Sequence, residues 1–578
     1  MNAHESLSSI AVKLPREIDT SQTVEIKLPE GKTVSVQAGT QLGKILADGG
    51  VQAPATIVAA AWNNKVAPLS RQVRRSGTLS AIDLTMRDGS LIFRRSLTFV
   101  LIRAVKELFP DLKIYINHSL NRGYYGEAYD ERLRPDEPVE LAPSDLAAIL
   151  QRMKEIVERD EPFERLDLPR EEAIELFRAR AMDDKVSLLE FRTDEQVSVY
   201  RSGPLVNHFY GQLVPSTGCL KPFDLKACAP GFVLLFPKHS EPGELPEYRH
   251  DPKMFAVFQE YERWSRILGV RTVAQLNRLV EAQEMREFVL ISEALHEKKL
   301  AYLADMIVGS HLKPRIILLS GPSASGKTTT VKRLSIQLRV LGLRPLVISL
   351  DDFFVSREET PRDANGDYDF EAFEAIDVNK LQQAVRDLLH GDEAEIPHFD
   401  FQAGRAVGGR RVRLQKGQPL ILEGIHGLNH RLLPTIPDAL KFKIYVSPLT
   451  HLNVDDHNRI SSSDIRLMRR MVRDAQFRGY TALDTMRRWA SVRRGEERNI
   501  FPYQGQADYI FNSSLHYELT VLRGLAMPLL QAVERSEPEF MEASRLIKFL
   551  SYFKEIKKDW VPRHSLLREF VGGSSFKY

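Results

Sequence analysis

The stretch IILLSGPSASGKTTTV, from Ile316 to Val331, constrains the fold of this chain more than any other. It joins a run of apolar residues to a loop bracketed by Gly321 and Gly326, and then to a segment with helical periodicity. The loop fits the pattern G-x-x-x-x-G-K-[ST], in which backbone N–H groups turn inward around phosphate oxygens. We therefore predict a strand, a phosphate-binding loop and a helix within a parallel sheet flanked by helices.

The residue types in this loop predict how a nucleotide would be held. The N-terminus of the following helix adds a partial positive charge, and Lys327 is placed to reach the β- and γ-phosphates. The hydroxyl of Thr328 is suited to hold Mg²⁺. ATP and Mg²⁺ are therefore the predicted cofactors, and a glycine turn without a ligand is the alternative. The predicted cofactor-binding residues of the loop are Gly321, Ser323, Ala324, Ser325, Gly326, Lys327, Thr328 and Thr329.

Two acidic residues follow later apolar strands. The run RPLVISL leads into Asp351, QPLILEG reaches Glu423, and KFKIYVS and ADYIFNS supply further strands. Because ligands lie at the carboxyl ends of parallel strands, we expect Asp351 and Glu423 to face the phosphate cleft. One carboxylate can then accept a proton from a substrate hydroxyl while the other supports Mg²⁺. The alternative for Asp351 is a turn or helix cap.

Arginine recurs downstream at helical spacing. Arg466, Arg469, Arg470 and Arg473 fall at positions i, i+3, i+4 and i+7, so they share one face of a helix, and Arg478 follows. Like charges on one stripe repel unless an anion neutralises them, so the pattern predicts a lid that binds phosphate and excludes water. A solvated helix face is the alternative. The guanine-reading pattern N-K-x-D does not follow the later strands, which argues against a GTPase.

The composition limits the other functions open to the chain. Its 578 residues are too many for one core, so several domains are expected. The net charge is only +3, so any basic site must be local. Two cysteines are too few for a disulfide framework, and the N-terminus lacks the pattern of a secretory signal. The apolar runs are too short to cross a membrane. We expect a soluble, cytoplasmic protein without membrane contact, and an oligomer is compatible with the sequence.

The region before the loop divides into predicted modules. Residues 1–20 are expected to be a disordered leader. From Val24 the residues alternate between apolar and polar, and a turn at Pro29–Lys32 predicts a β-hairpin. Thr40 is the predicted cap of the short helix that follows. Strands and one helix within 21–88 indicate a small β-grasp module, which resembles the TGS domain at the N-termini of threonyl-tRNA synthetases and some GTPases.

Residues 89–245 form a predicted second unit. The amphipathic helix RRSLTFVLIRAVKELF and the strand and turn KIYINHSLNRGYYGEAY resemble, in order and wording, the second additional domain of threonyl-tRNA synthetase, which edits mischarged tRNA. In that family the helix bears H-x-x-x-H and a later strand bears C-R-G-P-H. The corresponding positions here are Arg95, Phe99, Arg201 and Leu205. Phe and Leu can neither bind a metal nor move protons, so we expect the fold without the editing chemistry; a new active site in the same cleft is the alternative.

Three further segments complete the predicted organisation: a helical connector at 246–312, the phosphate-loop unit at 313–520, and a C-terminal helical segment at 521–578. Within the last segment a helix is predicted from Glu539 to Lys557. The stretch HLNVDDH, His451–His457, allows a metal site, although caps and surface turns are favoured. The predicted fold class is multidomain α/β: a β-grasp module, an α+β editing-like domain, the connector, and a P-loop domain with a doubly wound parallel sheet.

The motifs around the loop give the most specific resemblance. The loop itself, SLDDFF, YDFEAF, PHFDF, LEGIH and DIRLMRRMVRDAQFRG occur in the order seen in uridine kinases and the related phosphoribulokinases. The whole chain resembles bacterial nucleoside-kinase-like proteins that join such a domain to TGS and synthetase-like modules. The resemblance implies that Asp351 is the catalytic base, that Glu423 is the acid associated with Mg²⁺, and that Asp369 binds the ribose hydroxyls. The predicted catalytic set is Asp351, Lys327 and Glu423.

The same resemblance implies a substrate pocket and a lid. Phe354 and Phe399 occupy the positions of pocket tyrosines, and Arg470 matches an arginine near the ribose. Arg473 and Arg478 match lid arginines that bind phosphate of the nucleotide.

The chain also departs from the uridine kinase pattern. Gly404 stands where uridine kinases carry a pyrimidine-reading histidine, Arg488 replaces a glutamine that assists ribose binding, and both pocket tyrosines are phenylalanines. We therefore predict an ATP- and Mg²⁺-dependent kinase whose acceptor is a hydroxyl of a nucleoside or related small sugar. The alternative is an RNA- or ribosome-associated ATP-binding regulator, because the two N-terminal modules allow RNA contact.

Overall fold

The computed structural model describes residues 19, 21–120, 123–130, 132, 137–311, 313–363, 366–400 and 403–578. The predicted disordered leader, 1–20, lies outside the described residues except for Asp19. The described strands form four sheets of three or more strands and a two-stranded ribbon.

The first module is a mixed sheet with one helix. Its elements are β1 Thr23–Lys27, β2 Thr33–Gln37, α1 Leu42–Asp48, β3 Ile57–Trp62, β4 Val66–Ala67 and β5 Gly77–Asp83. The sheet order is β2-β1-β5-β3-β4, and the antiparallel pair β1–β2 is the predicted hairpin. The predicted cap at Thr40 was wrong: Gln41 is the N-cap of α1, and the Thr40 hydroxyl donates to the Gln37 carbonyl at 2.7 Å.

The second unit has two antiparallel sheets and a long central helix. Its elements are α2 Arg87–Leu108, β6 Leu112–Leu120, β7 Gly123–Asp130, α3 Pro143–Glu158, β8 Glu164–Pro169, α4 Arg170–Arg178, α5 Asp183–Glu190, β9 Gln196–Ser202, β10 Leu205–His208, β11 Asp224–Cys228 and β12 Gly231–Leu235. The strand orders are β10-β9-β8 and β11-β12-β7-β6. Most residues of α2 are buried, because the helix packs against both the first sheet and α3.

The residues at the four positions that correspond to editing residues contact other parts of the second unit. Phe99 is fully buried, and its ring centroid lies 5.3 Å from that of Phe163. Arg201 forms an ion pair with Glu164 on the neighbouring strand, and Leu205 pairs with Ser202 across the β9–β10 turn. Arg95 alone of the four lines a cavity.

The connector consists of three helices, α6 Pro252–Ile267, α7 Val273–Glu281 and α8 Met285–Gly309. Their apolar faces join one hydrophobic core with the phosphate-loop unit and the C-terminal segment. Among the described helices, none combines the length and the apolar character that crossing a bilayer requires.

The phosphate-loop unit is built on a parallel five-stranded sheet. Its elements are β13 Ile316–Ser320, α9 Lys327–Val340, β14 Leu346–Ser349, α10 Val378–His390, β15 Glu393–Asp400, β16 Arg405–Arg413, β17 Leu420–Glu423, β18 Lys441–Ser447, α11 Ser462–Phe477, α12 Ala482–Asn499 and β19 Tyr509–Asn512. The sheet order is β14-β17-β13-β18-β19 with every pair parallel, which confirms the predicted doubly wound arrangement. Every residue of β13 is buried, as expected for a central strand covered on both faces.

The C-terminal segment contains α13 Glu518–Gln531, α14 Phe540–Leu550 and α15 Arg568–Val571. The predicted helix Glu539–Lys557 is too long, since α14 ends at Leu550. Beyond this point tertiary contacts replace helical ones: the Lys554 backbone N–H donates to Asn277 on α7 at 2.8 Å.

The stretch His451–His457 is not the surface turn that the sequence predicted. Asp455 is fully buried, and its Oδ1 lies 2.7 Å from Lys185 Nζ, which is also buried. Asp184 lies 3.2 Å from the same ammonium group. Lys185 therefore supplies the cation of this acidic cluster, which joins the second unit to the phosphate-loop unit.

We expect Arg469→Ala to lower the free energy of unfolding by about 3–5 kcal/mol, because Glu518 would be left as an unpaired buried charge. The Arg469 and Glu518 side chains are 0% and 1% exposed, with Nε and Oε2 2.6 Å apart. Urea unfolding measures the change. Arg411→Ala is the matched control, since its pair with Glu393 is exposed and should contribute less than about 1 kcal/mol. Equal losses in the two variants would contradict this account.

Candidate active site at the phosphate-binding loop

The loop between β13 and α9 depends on two glycines. A Cβ on Gly321 would lie 2.0 Å from the carbonyl oxygen of Val446 on the neighbouring strand β18, so no side chain fits there. Gly326 has a φ of +86° and is the N-cap of α9. Glycine adopts this left-handed conformation without strain, which lets the backbone turn into the first turn of the helix.

The backbone donors of the loop are arranged as in an anion site. The N–H groups of Gly326, Lys327 and Thr328 have no acceptor within the described part of the chain. They lie at the N-terminus of a 14-residue helix, where aligned peptide dipoles favour an anion. The Lys327 Nζ donates to the Pro322 carbonyl at 3.2 Å, so this ammonium group lies against the same loop.

Glu423 ends β17 and lies beside the loop. Its Oε1 accepts a hydrogen bond from the Thr328 hydroxyl at 3.0 Å. Burial raises the pKa of Glu423 to about 7, and the neighbouring Asp351 adds to the rise while Lys327 opposes it. Mg²⁺ accepts hydroxyl and carboxylate oxygens as ligands, so Thr328 and Glu423 fit the predicted metal role.

Asp351 lies in a short 3₁₀ turn, Leu350–Phe353, directly after β14. Since β14 and β17 are parallel neighbours, Asp351 and Glu423 come from adjacent carboxyl ends of the sheet. Burial raises the pKa of Asp351, whereas the positive charge of Lys327 opposes the rise. The adjacent Asp352 instead lies 3.4 Å from the exposed His398. Of these two aspartates, Asp351 is therefore the one coupled to the loop lysine.

A third acid of the cleft, Glu371, is absent from the predicted site residues. Burial raises its pKa to about 7; Arg470 opposes this rise, whereas Glu496, Asp369 and Asp351 add to it. The backbone N–H of Glu371 donates to Asp369 Oδ1 at 3.2 Å. Its position two residues after Asp369, within YDFEAF, is the sequence signal that could have located it.

Aromatic and acidic side chains line the predicted acceptor pocket. Phe354 and Phe399 meet edge to face, with ring centroids 5.7 Å apart. Asp369 is buried, and its Oδ2 lies 3.5 Å from an Arg498 guanidinium nitrogen. The structure thus places both phenylalanines in contact with each other and gives Asp369 a cationic neighbour.

The structure shows the neighbours of Gly404 and Arg488, two of the positions that depart from the uridine kinase pattern. Gly404 has a φ of +69°, and a Cβ there would lie 2.9 Å from Arg357 Nε. The Arg357 side chain therefore fills the space beside the position of the pyrimidine-reading histidine. Arg488 stacks on Tyr480, with its guanidinium carbon 4.4 Å from the ring centroid.

Two arginines of the α11 stripe are buried in ion pairs. Arg466 pairs with Glu496 on α12, and Arg469 pairs with Glu518 on α13. Glu496 Oε1 also accepts the Ser323 backbone N–H at 3.0 Å, which attaches α12 to the loop. The prediction that the whole stripe binds phosphate is therefore wrong for Arg466 and Arg469, because protein carboxylates already neutralise them.

The other three arginines share one carboxylate. Asp474 lies 3.3 Å from Arg470, 3.0 Å from Arg473 and 3.5 Å from Arg478. Arg470 also donates to the Ser323 hydroxyl at 2.8 Å. Burial, followed by the charge of Arg473, lowers the pKa of Arg478 to about 10. Asp351 and Glu371 also lie near these arginines, since Arg473 and Arg478 oppose the rise in the pKa of Asp351 and Arg470 opposes that of Glu371.

The C-terminal segment contacts the first turn of α9. Glu569 Oε2 accepts the Thr329 backbone N–H at 3.1 Å and the Thr329 hydroxyl at 2.6 Å. The Tyr578 hydroxyl lies 2.8 Å from the same Thr329 oxygen. Leu566 packs against Gly326, where a Cβ would meet its side chain at 2.6 Å. The neighbour against which this segment docks is therefore the phosphate-binding loop.

Comparison with protein families identifies the part of the chain that contains this site. Residues 316–519 match the Phosphoribulokinase / Uridine kinase family. The P-loop, Asp351, Glu423 and the α11 arginines all lie inside the residues that match this kinase family.

The N-terminal region is similar to threonine–tRNA ligases. One from Syntrophomonas wolfei is 32% identical over 207 residues, which is 36% of this chain and 32% of that protein. One from Acidovorax sp. strain JS42 is 34% identical over 208 residues, 36% of this chain and 31% of that protein. The chain therefore spans about a third of the length of these relatives.

Two solved kinases align with part of the chain. A possible uridine kinase from Bacillus stearothermophilus is 20% identical, with a TM-score of 0.26, and the alignment covers 37% of this chain and 97% of that one. A D-glycerate 3-kinase from Cryptococcus neoformans is 14% identical, with a TM-score of 0.18, and the alignment covers 48% of this chain and 89% of that one.

We expect Glu371→Gln to stabilise the protein at pH 8 by about 1–3 kcal/mol and by less at pH 5. An acid whose pKa is raised on folding stabilises the native state below its unfolded pKa, and this contribution is lost as pH rises through about 7. Glutamine does not titrate, so its advantage should grow between pH 5 and 7 and then level off.

Urea unfolding at several pH values tests this. Glu374→Gln is the matched control, because pairing with Arg431 lowers the pKa of Glu374, and its removal should not stabilise the protein at high pH. A pH-independent effect of Glu371→Gln would contradict the assignment.

Proposed function

We propose that this protein is an ATP- and Mg²⁺-dependent kinase that transfers the γ-phosphate to a hydroxyl group of a nucleoside or a related small sugar. The observation that carries the proposal is the placement of Asp351 and Glu423 at adjacent strand ends beside Lys327 and Thr328. A nucleotide-binding site without transfer chemistry has no need of a second buried acid at the acceptor side.

In this proposal, different residues of the chain carry out different parts of the transfer reaction. Bound Mg-ATP would supply the reactive phosphoryl group. Asp351 accepts the proton of the attacking hydroxyl, and burial moves the pKa of Asp351 upward, toward the range where a carboxylate is an effective base. Lys327 and the loop N–H groups stabilise negative charge on the transferred group. Thr328 and Glu423 would hold the metal.

The lid and pocket residues position the reactants. Arg470, Arg473 and Arg478, which share the Asp474 carboxylate, would bind the nucleotide phosphates and exclude water when closed over them. Phe354 and Phe399 form an apolar wall for the acceptor, and Asp369 would bind its hydroxyls. The Arg357 side chain lies beside Gly404, at the position of the base-reading histidine. The acceptor would therefore meet a guanidinium group there instead of an imidazole ring.

A second candidate function, an RNA- or ribosome-associated ATP-binding regulator, is favoured by the similarity to threonine–tRNA ligases. Both functions can coexist in one chain, since they use different parts of it. Copurification with tRNA, together with the absence of transfer to every acceptor tested, would favour the regulator over the kinase.

We expect Asp351→Asn to reduce phosphoryl transfer by about 10²–10⁴-fold while leaving nucleotide affinity nearly unchanged, because the variant lacks the base but keeps the loop. Radiolabelled ATP with a panel of nucleosides and phosphosugars measures transfer, and calorimetry measures nucleotide binding. Lys327→Ala should abolish both.

Asp352→Asn is the matched control, since the neighbouring carboxylate lies beside the exposed His398 and should be dispensable. Transfer at the wild-type rate by Asp351→Asn would overturn the base assignment. Loss of transfer in Asp352→Asn to the same degree would show that the turn, rather than the Asp351 carboxylate, is required.

A further inference from the structure

A cavity of about 450 Å³ lies away from the phosphate-binding loop, where three parts of the chain meet. The first module contributes Lys65, the second unit contributes Arg95, Arg165 and Tyr200, and helix α14 contributes Lys548. Pockets of this size accommodate small organic ligands, and they often occur between domains.

The charge of this cavity is strongly one-sided. A single carboxylate, Asp88, lies among its described lining residues, together with five cationic side chains. These cations are Lys65, Arg95, Arg165, Arg545 and Lys548.

Carboxylate partners neutralise only some of these cations. Arg545 pairs with Asp464 and Glu542, and Arg165 pairs with Asp167. Lys65, Arg95 and Lys548 form no ion pair among the described residues, although Arg95 lies close enough to Asp88 to oppose the rise in its pKa.

Neutral groups lie against two of these cations, Arg95 and Lys65. Arg95 donates to the Gln212 carbonyl at 2.6 Å and stacks on Tyr210 at 5.5 Å. The Lys65 ammonium lies over the Phe540 ring at 5.4 Å. Cations held in this way keep their net charge, so the cavity remains positive.

Lys548 is the least compensated of these groups. Its ammonium has no hydrogen-bond or ion-pair partner among the described residues. Burial lowers the pKa of Lys548, and the charges of nearby Arg192, Arg165 and Arg95 contribute to a final value of about 8. A partly buried cation among other cations is unfavourable for the fold, and such a cost is typical of a position retained for binding.

We propose that this cavity binds a small organic phosphate monoester of about the size of a nucleoside monophosphate. The phosphate would contact Arg95 and Lys548, because phosphate oxygens accept several charge-assisted hydrogen bonds. The organic part would lie against Tyr200, Tyr210 and the apolar lining. The site does not depend on the kinase proposal, since none of its residues belongs to the phosphate-binding loop.

One residue of the site, Arg95, stands at a position that corresponds to an editing residue. Arg95 stands at the first of the four editing positions, while Phe99 fills the core behind it. Helix α14, which supplies Lys548, closes the cavity from the C-terminal segment. A guanidinium at an editing position, with the Lys548 ammonium beside it, suits recognition of an anion rather than hydrolysis.

Calorimetry with uridine 5′-monophosphate and uridine tests the proposal, in a Lys327→Ala background that disables the phosphate-binding loop. We expect the monophosphate to bind and neutral uridine to bind at least about tenfold more weakly. Adding Lys548→Met should weaken binding of the monophosphate by about tenfold. The exposed Lys557→Met should leave it unchanged.

Thermal unfolding without ligand provides a second readout. Lys548→Met should raise the melting temperature, because it removes a partly buried charge that lacks an ion-pair partner; a structural lysine would give the opposite result. Equal monophosphate affinity with and without Lys548, or a lower melting temperature of the variant, would overturn the proposal. Binding of a 12-nucleotide RNA that requires Lys548, without binding of the monophosphate, would also overturn it and assign the cavity to RNA.

A second inference comes from the contact between the C-terminal segment and the loop, and it rests on the proposed nucleotide-binding function. Glu569 accepts both the N–H and the hydroxyl of Thr329 in the first turn of α9. Donors at this end of a phosphate-loop helix are those that bind phosphate oxygens. We propose that the Glu569 carboxylate occupies a phosphate-oxygen position and competes with nucleotide, so that the C-terminal segment is an internal inhibitor.

Fluorescence titration with Mg²⁺ and mant-ADP tests this device. Glu569→Gln and Glu569→Ala should each bind about three- to tenfold more tightly than the wild-type chain, because the competing charge is gone. Glu555→Gln is the matched control, since its carboxylate is exposed and lies 3.6 Å from Arg523. Equal affinities in wild type and both Glu569 variants would overturn the inhibitor while leaving the nucleotide site intact. Absence of binding in every folded variant would overturn the proposed function and the inhibitor together.

Discussion

The arrangement of the candidate active site depends on buried ion pairs between helix α11 and its neighbours. Arg466 and Arg469 are almost fully buried and pair with Glu496 and Glu518. Charges in such surroundings are costly when unpaired, so each arginine fixes the position of its partner helix. Because Glu496 also accepts the Ser323 N–H, the same pairs attach the helices to the phosphate-binding loop.

Because these ion pairs hold α11 in place, they also determine where its remaining arginines lie. Arg470 and Arg473 on α11 and Arg478 at its C-cap border the cleft, and all three share the Asp474 carboxylate. In the same cleft, Asp351 lies close enough to Glu371 and Glu423 to raise the pKa of both. The site thus combines acidic and basic groups that act on one another, since Arg473 and Arg478 oppose the rise in the pKa of Asp351 and Arg470 opposes that of Glu371.

Several features of the site could be predicted because they are local in the sequence. The loop pattern, the strand that precedes it and the helix that follows require only neighbouring residues, and the parallel order of the sheet agrees with prediction. Asp351 and Glu423 could be placed because residues at the ends of parallel strands meet at one edge. Glu496 and Glu569 were missed, because each reaches the site through contacts between residues distant in sequence.

The sequence by itself determined the phosphate-binding loop and the class of sheet around it. Glycine spacing and apolar periodicity are sufficient for these conclusions, because they express backbone geometry. Only the tertiary structure decided which arginines remain for phosphate, what the C-terminal segment contacts, and where cations gather at Lys548. Those outcomes depend on which charge pairs with which across long sequence separations, and neither spacing nor composition specifies that pairing.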